Sequence, residues 1–525
     1  MSELLPTKAT FAPGEPVEID VRDAPEATHV LLLRLDRVVS ELEAPSGTSR
    51  IAFPAQPEGG YGVEAETGAA TAIDVLADPL ARARYGFVSD YTAGRSVEAV
   101  GENVRRLHLN AVQFYDWMYR HADLLPREDR FVDTLGRELS LDSVRRLVST
   151  VKDAGSLPLG YAAVYAAGRD EWPEWEEEGL FRADGKPWML GDFLWNIDPT
   201  NERWLEHFEL DLRAAATAVG FAGFHLDQYG APKTALRKDG TVVDLAAAFP
   251  HLVDRLASAL PGERLIFNNV NDFPTWSTAR TAQAAVYIEV WAPHVRLNDL
   301  AQLAKKAHLL APNRSVILAA YLSTFAHSGQ SEACAAQCLL LATAFTHGAT
   351  VLLHGEADSV LTEAYYVTHG RLSAESAETT RRYYDFAVRY GDLLFDRASV
   401  DVTTTYLGGV NEEVRIEATA PVVHESRAGS LWASVRRVGK GLLISLIDLS
   451  AQSDDLWDAP KKPAPQLDGV RIELERSGAG PRFLFATPEA PRLKPLDADF
   501  DGRYDVVELP PFVHWALVWI PGVVA

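Results

Sequence analysis

The sequence predicts a (β/α)8 barrel carried between two β-sandwiches, an α/β fold class with all-β flanks. Three observations predict it. Between about residues 81 and 398, eight apolar runs alternate with stretches of helical periodicity. On either side, short strand-like runs broken by glycine and proline lack that periodicity. No G-x-G-x-x-G or P-loop follows any apolar run, which disfavours a doubly wound nucleotide-binding sheet.

Residues 1–80 read as an immunoglobulin-like β-sandwich. Runs such as Val17–Val21 and His29–Leu33 are punctuated by Pro13-Gly14, Pro25, Gly47 and Gly59-Gly60. The barrel is assigned to 81–398, with strands expected over 85–91, 110–117, 157–165, 222–229, 264–269, 284–291, 315–322 and 349–355. Helices are expected between them. Val97, Val100, Val104 and Leu107 share one face, as do Leu141, Val144, Leu147, Val148 and Val151. A helix capped by Thr200 carries Trp204, Leu205, Phe208 and Leu212, and a last one carries Tyr383, Tyr384, Phe386, Ala387 and Tyr390. Residues 399–525 read as a second sandwich, with strands over Val400–Tyr406, Val414–Ala418, Leu431–Arg437, Gly441–Asp448, Val470–Leu474, Arg482–Ala486 and Val513–Ile520.

Composition narrows the function. The chain has 525 residues, 47% hydrophobic and 23% charged, the balance of a folded multidomain protein. Its 50 basic residues stand against 73 acidic ones, a net charge of −23 that repels phosphate backbones and anionic lipid. Nucleic acid and membrane are therefore excluded as expected partners; the sequence assigns no oligomeric state. Two cysteines make neither a disulfide framework nor a four-thiolate zinc site. The uncharged stretches at 333–355 and 509–525 are broken by polar residues or proline and do not read as membrane spans. The N-terminus lacks a basic segment followed by an apolar run, so a cytoplasmic setting is expected, or a secreted one if a leader was removed. No cofactor is expected.

In a barrel the polar residues that close the strands line the active site. Here they fall in Gln113-Phe114-Tyr115-Asp116-Trp117-Met118-Tyr119, His225-Leu226-Asp227-Gln228-Tyr229, Asn268-Asn269, Glu289-Val290-Trp291 and His354-Gly355-Glu356. Carboxylates beside aromatic rings at several strand ends suit glycosidic cleavage. One carboxylate attacks or stabilises an oxocarbenium-like centre while another protonates the departing oxygen. Asp227, in an apolar strand, reads as a nucleophile or as a structural Asp bonded to amides or an Arg. Glu289, between Ile288 and Val290, reads as a general acid whose pKa burial raises, or as a buried ion-pair partner.

The segment Asn110–His121 closely resembles a signature of glycoside hydrolase family 66, the family of endo-dextranases and cycloisomaltooligosaccharide glucanotransferases. The resemblance continues through Tyr161–Ala167, Gly223–Gly230, Tyr287–Trp291 and Tyr383–Phe386, and the sandwich–barrel–sandwich order is also the family's. It implies a retaining mechanism on α-1,6-glucan or isomalto-oligosaccharide, with Asp227 as nucleophile and Glu289 as acid/base. Asp116, Trp117, Tyr119, Tyr229, Asn269, Trp291 and Glu356 are the expected substrate-binding residues. The third connection, 166–221, is too short for the carbohydrate-binding module inserted in the cyclising enzymes, so hydrolysis is expected over transglycosylation. A non-catalytic carbohydrate-binding protein is the reading from another class.

That connection holds Trp172, Trp175, Trp188 and Trp195, read either as stacking platforms at a cleft or as packing of the loop on itself. Cys334 and Cys338 share a helical face and read as buried thiols. His354 with Glu356 lacks a third ligand for a metal, and Glu174 with Glu176–Glu178 reads as a solvated acidic face with calcium binding as the alternative.

Overall fold

A computed structural model describes residues 2–408, 410–478 and 480–523. Eight parallel strands stand in sequence order around a barrel. They are β1 (Tyr85–Val88), β2 (Ala111–Phe114), β3 (Leu157–Ala163), β4 (Gly223–Asp227), β5 (Arg264–Val270), β6 (Ala285–Glu289), β7 (Ser315–Ala319) and β8 (Ala349–Leu352). The circle closes where the Phe87 amide donates to the carbonyl of His354 at 3.3 Å and Thr350 Oγ1 donates to the carbonyl of Ala83 at 2.7 Å. Each expected strand is present; β5 runs one residue past its expected end, and the others are shorter than their apolar runs because the polar residues that end a run turn out of the ladder over the cavity. No described helix is long and apolar enough to cross a membrane.

Around the barrel most helices bury one stripe, as in Leu141–Asp153, whose Val144, Leu147 and Val151 are fully covered, whereas Gln330–Thr346 is buried on every side from Ala335 onward. The helix Glu202–Val219 is capped by Asn201, whose side chain accepts from the Trp204 amide, and not by Thr200. Thr200 is taken up instead by Asp198, to which its hydroxyl donates at 2.7 Å.

Strands between Glu3 and Val75 form a three-stranded and a four-stranded antiparallel sheet, with Ile19, Val30, Phe53 and Val63 buried together. Gly59 and Gly60 do not make a turn here. They lie within the strand Gly59–Ala65, and a Cβ on Gly60 would stand 2.2 Å from the Val388 carbonyl oxygen. Glycine is what lets the helix Ala374–Arg389 lie against this sheet. The contact is also polar: Asp385 accepts from the Thr71 hydroxyl at 2.9 Å and the Ala72 amide at 3.0 Å.

Two further sheets, antiparallel except where Val422–Val423 pairs in parallel with Leu431–Trp432, occupy the chain from Val400 to Ile520. Val400–Tyr406 is not one strand: a two-residue strand, Val400–Asp401, gives way to a helical turn, Thr403–Tyr406. Asp401 causes the break by accepting from the amide and hydroxyl of Thr403. Strands Lys494–Leu496, Asp499–Phe500 and Tyr504–Glu508 add to those read from the sequence. Trp515 packs edge-on to Phe386, with ring centroids 5.0 Å apart, and so joins this layer to the barrel's outer helices.

Candidate active site

At the C-terminal mouth of the barrel lies a cavity of about 280 Å³. Strand alternation decides which side chains reach it. On β4, Phe224 and Leu226 face the surrounding helices while His225 and Asp227 face inward. On β5 the inward residues are Asn268 and Val270, and on β6 Tyr287 and Glu289.

Asp227 and Glu289 meet at one side chain. Asn268 Nδ2 donates to Asp227 Oδ1 at 2.6 Å and to Glu289 Oε2 at 3.0 Å. Taken end to end, these two bonds hold the carboxylate oxygens within about 5.6 Å, close to the spacing of a retaining pair and short of an inverting one. Each carboxyl has a further donor: Tyr161 Oη gives 2.7 Å to Asp227 Oδ2, and Tyr321 Oη gives 2.9 Å to Glu289 Oε1. Burial raises both carboxyls; Asp227 is pushed up to about 7, with the charge of Glu289 adding to the effect of burial. The pair therefore releases its two protons in separate steps. Below it, His225 is held neutral, driven down to about 3 by burial, with its Nδ1 3.2 Å from Tyr85 Oη.

Tyr229 and Trp291 line the same cavity. The Tyr229 hydroxyl, the Asn268 Oδ1 and the Gln113 Oε1 are buried with no protein partner. Trp291 stands at the rim, 41% exposed, edge-on to Tyr321 with centroids 5.7 Å apart.

Other expected site residues lie elsewhere. Trp117 is fully buried behind β2, packed edge-on to Phe221, with its Nε1 donating to the Tyr161 carbonyl at 3.1 Å. Asn269 points away from the cavity, donating to the carbonyls of Phe267 and Tyr287. Glu356 is a brace: it takes both guanidinium nitrogens of Arg95 at 2.8 Å and accepts from the amides of Ser89 and Asp90 at 3.0 Å. Tyr119 lies under Arg120, whose guanidinium carbon is 4.0 Å from the ring centre. Asp116 is buried outside the cavity wall and raised to about 7 by burial, with Arg137 3.9 Å away.

The four tryptophans of the third connection pack on the loop itself. Trp172 stacks on Trp195 with centroids 5.9 Å apart, Trp175 meets Trp204 edge-on at 5.0 Å, and Trp188 lies beside Arg182. From that connection it is Leu190 that reaches the cavity. Among the described residues no group of three or more His, Cys, Asp or Glu side chains is placed to hold a metal ion. His354 is bound through Nδ1 to the Ser359 carbonyl at 2.8 Å. Glu174 and Glu178 pair with Arg203, while Glu176 and Glu177 pair with Lys238.

The family model for glycosyl hydrolase family 66 matches residues 6–519. The chain belongs to that family. Two relatives, both cycloisomaltooligosaccharide glucanotransferases of Niallia circulans, are 27% identical over 306 residues and 25% over 300. The matches cover 51% and 50% of this chain and 31% of each relative, so about a third of the relatives' length is matched. Among solved structures, a cycloisomaltooligosaccharide glucanotransferase of Paenibacillus sp. complexed with cycloisomaltoheptaose superposes with a TM-score of 0.87 at 18% identity, covering 99% of this chain and 100% of that one. A maltogenic α-amylase of Thermotoga neapolitana superposes at 0.53 with 10% identity, covering 84% of this chain and 100% of that one. These two likenesses concern the fold.

Proposed function

We propose that this family 66 chain breaks α-1,6-glucosidic bonds of isomalto-oligosaccharide or dextran by double displacement. The observation that carries the reading is the Asn268 bridge, which holds the half-buried carboxyl of Asp227 and the buried carboxyl of Glu289 within about 5.6 Å of each other at the ends of β4 and β6. In the reacting form the pair keeps one proton, on Glu289, because the donors to Asp227 at 2.6 and 2.7 Å are shorter than those to Glu289 at 3.0 and 2.9 Å and favour the Asp227 carboxylate. Asp227 attacks the anomeric carbon, the bond to the glycosidic oxygen breaks, and that oxygen takes the proton of Glu289. An ester to Asp227 results. In the second half Glu289 accepts the proton of an incoming hydroxyl, whose oxygen bonds to the anomeric carbon as the ester breaks. Two inversions leave the α-configuration. The unpartnered polar atoms of Gln113, Tyr229 and Asn268 suit hydrogen bonds to sugar hydroxyls.

The incoming hydroxyl belongs to a sugar in this reading. Both curated relatives are named as glucanotransferases, and the superposed neighbour holds a cyclic isomaltoheptaose, which supports transfer over the hydrolysis expected from the short third connection. Isomaltotetraose incubated with the protein and resolved by chromatography tests this. Longer or cyclic products early in the reaction are the expected result. Reducing sugar accumulating without them identifies a hydrolase, and no change in the substrate rejects catalysis in favour of binding.

A further inference from the structure

Beside the catalytic cavity lies a second one of about 340 Å³, and the two share a wall made of Trp291 and Tyr321. Its barrel side is Val290, Trp291, Ala292 and Val295 with Ser323, Thr362 and Glu363; its other side is Leu456, Trp457 and Asp458, from the C-terminal part of the chain. No strand, helix or barrel loop of the catalytic layer supplies those three residues. They reach the mouth because the connection after Gly441–Asp448 folds over it.

That connection is fixed in place. The Leu297 amide donates to the Asp455 carbonyl at 2.9 Å, and the Arg296 guanidinium donates to the Asp455 carboxylate at 2.6 Å. The Trp457 amide donates to the Val295 carbonyl at 3.0 Å and its Nε1 to the His294 carbonyl at 2.8 Å. Ser323 Oγ donates to Asp458 Oδ2 at 2.7 Å. Such a loop forms a wall whose shape is set before a ligand arrives, which lowers the ordering cost of binding. Trp457 is buried by these contacts, yet apolar surface on both sides of the cavity stays open to solvent: Leu456 of the loop is 37% exposed, and Val295 and Trp291 of the barrel side are each 41% exposed. Apolar surface kept open on a rigid wall, flanked by the carboxylates of Glu363 and Asp458 and the hydroxyls of Ser323 and Thr362, matches a pyranose, with one apolar face and a rim of hydroxyls.

We infer that this second cavity is an acceptor site, which seats the glucose unit whose hydroxyl takes over the glycosyl group. Its placement carries the inference. Tyr321 and Trp291 form the shared wall, and Tyr321 is bonded to Glu289, the group that handles the proton of the leaving and the incoming oxygen. A sugar there lies on the acid/base side of the scissile bond. The inference rests on the double-displacement reading and assigns a specificity role to a loop outside the barrel.

The test uses α-isomaltosyl fluoride as donor and isomaltotriose as acceptor, with fluoride release and transfer product measured together. Leu456→Glu places a charge on the open apolar wall without disturbing a buried residue. It is expected to raise the acceptor concentration for half-maximal transfer by about five- to ten-fold, and by more than it changes fluoride release without acceptor. Leu309→Glu, at a fully solvated helix position far from the mouth, controls for added charge and should alter neither. A half-saturation within about two-fold of the parent, or an equal change in both measurements, overturns the acceptor site while leaving double displacement standing. A parent protein that releases no fluoride overturns both.

Discussion

Replacing Asn268 with Ala tests how the two carboxyls are held. The change removes a donor to Asp227 at 2.6 Å and to Glu289 at 3.0 Å and opens no large void. A hydrogen bond to an ionised group contributes about 1.5–3 kcal/mol, and 1.36 kcal/mol corresponds to one pKa unit, so the loss raises the Asp227 pKa by about one to two units. The sign is upward because the lost donor favours the charged form, and the group already stands near 7 through burial and the Glu289 charge. The acid limb of kcat/KM against pH should therefore move up by about one to two units, and activity below that limb should fall about 10- to 100-fold. An activated donor such as α-isomaltosyl fluoride isolates the nucleophile, since departure then needs little protonation. A loss equal at every pH, or a limb that does not move, would refute the reasoning.

Asp227→Asn should abolish turnover and yet raise thermal stability near neutral pH. A carboxyl whose folded pKa lies above its unfolded value loses folding stability as pH rises from about 4 towards 7, so the variant should gain on the order of 1 kcal/mol or more there and nothing below about pH 4, read as Tm against pH. Glu356→Gln breaks a buried pair with Arg95 that ties the end of β8 to the segment after β1; it should cost about 2–3 kcal/mol in denaturant titration with KM unchanged, and a KM effect without destabilisation would place Glu356 in the site after all. Trp172→Ala should lower stability by about 2 kcal/mol and leave the rise of kcat/KM with isomalto-oligosaccharide length intact, because the ring packs on Trp195; a flattened rise would put it in the cleft.

The barrel was legible because parallel strands covered on both faces are apolar without interruption, and the residue that interrupts the run marks the mouth. That is why Asp227 and Glu289 stand out in sequence. Which of Asn268 and Asn269 enters the cavity does not, since adjacent residues on a strand face opposite ways and register alone chooses between them. The alternation was available: Asp227 and Glu289 face inward with His225 and Tyr287, and extending the pattern to β5 through its pairing with β6 selects Asn268. Tyr161 and Tyr321, which donate to the two carboxyls, carry no signal of their own among seventeen tyrosines. Trp117 misled because it follows the strand end directly, whereas Asp116 at φ 46 turns the chain and sends the indole back into the core. Glu356 reads as a site carboxylate beside His354 only until Arg95, 261 residues away, is seen to meet it. The third-connection tryptophans show a related limit: composition marks the rings, but packing among Trp172, Trp195, Trp175 and Trp204 is a tertiary fact.

Covalent trapping tests the central claim most directly. A 5-fluoro-α-isomaltosyl fluoride slows the second displacement more than the loss of fluoride and so allows the ester to accumulate for peptide mapping by mass spectrometry. The account predicts one added glycosyl mass on the peptide containing Asp227, lost when isomaltotriose is supplied as acceptor. A label on Glu289, or no label while product of inverted anomeric configuration is seen by NMR, would contradict it.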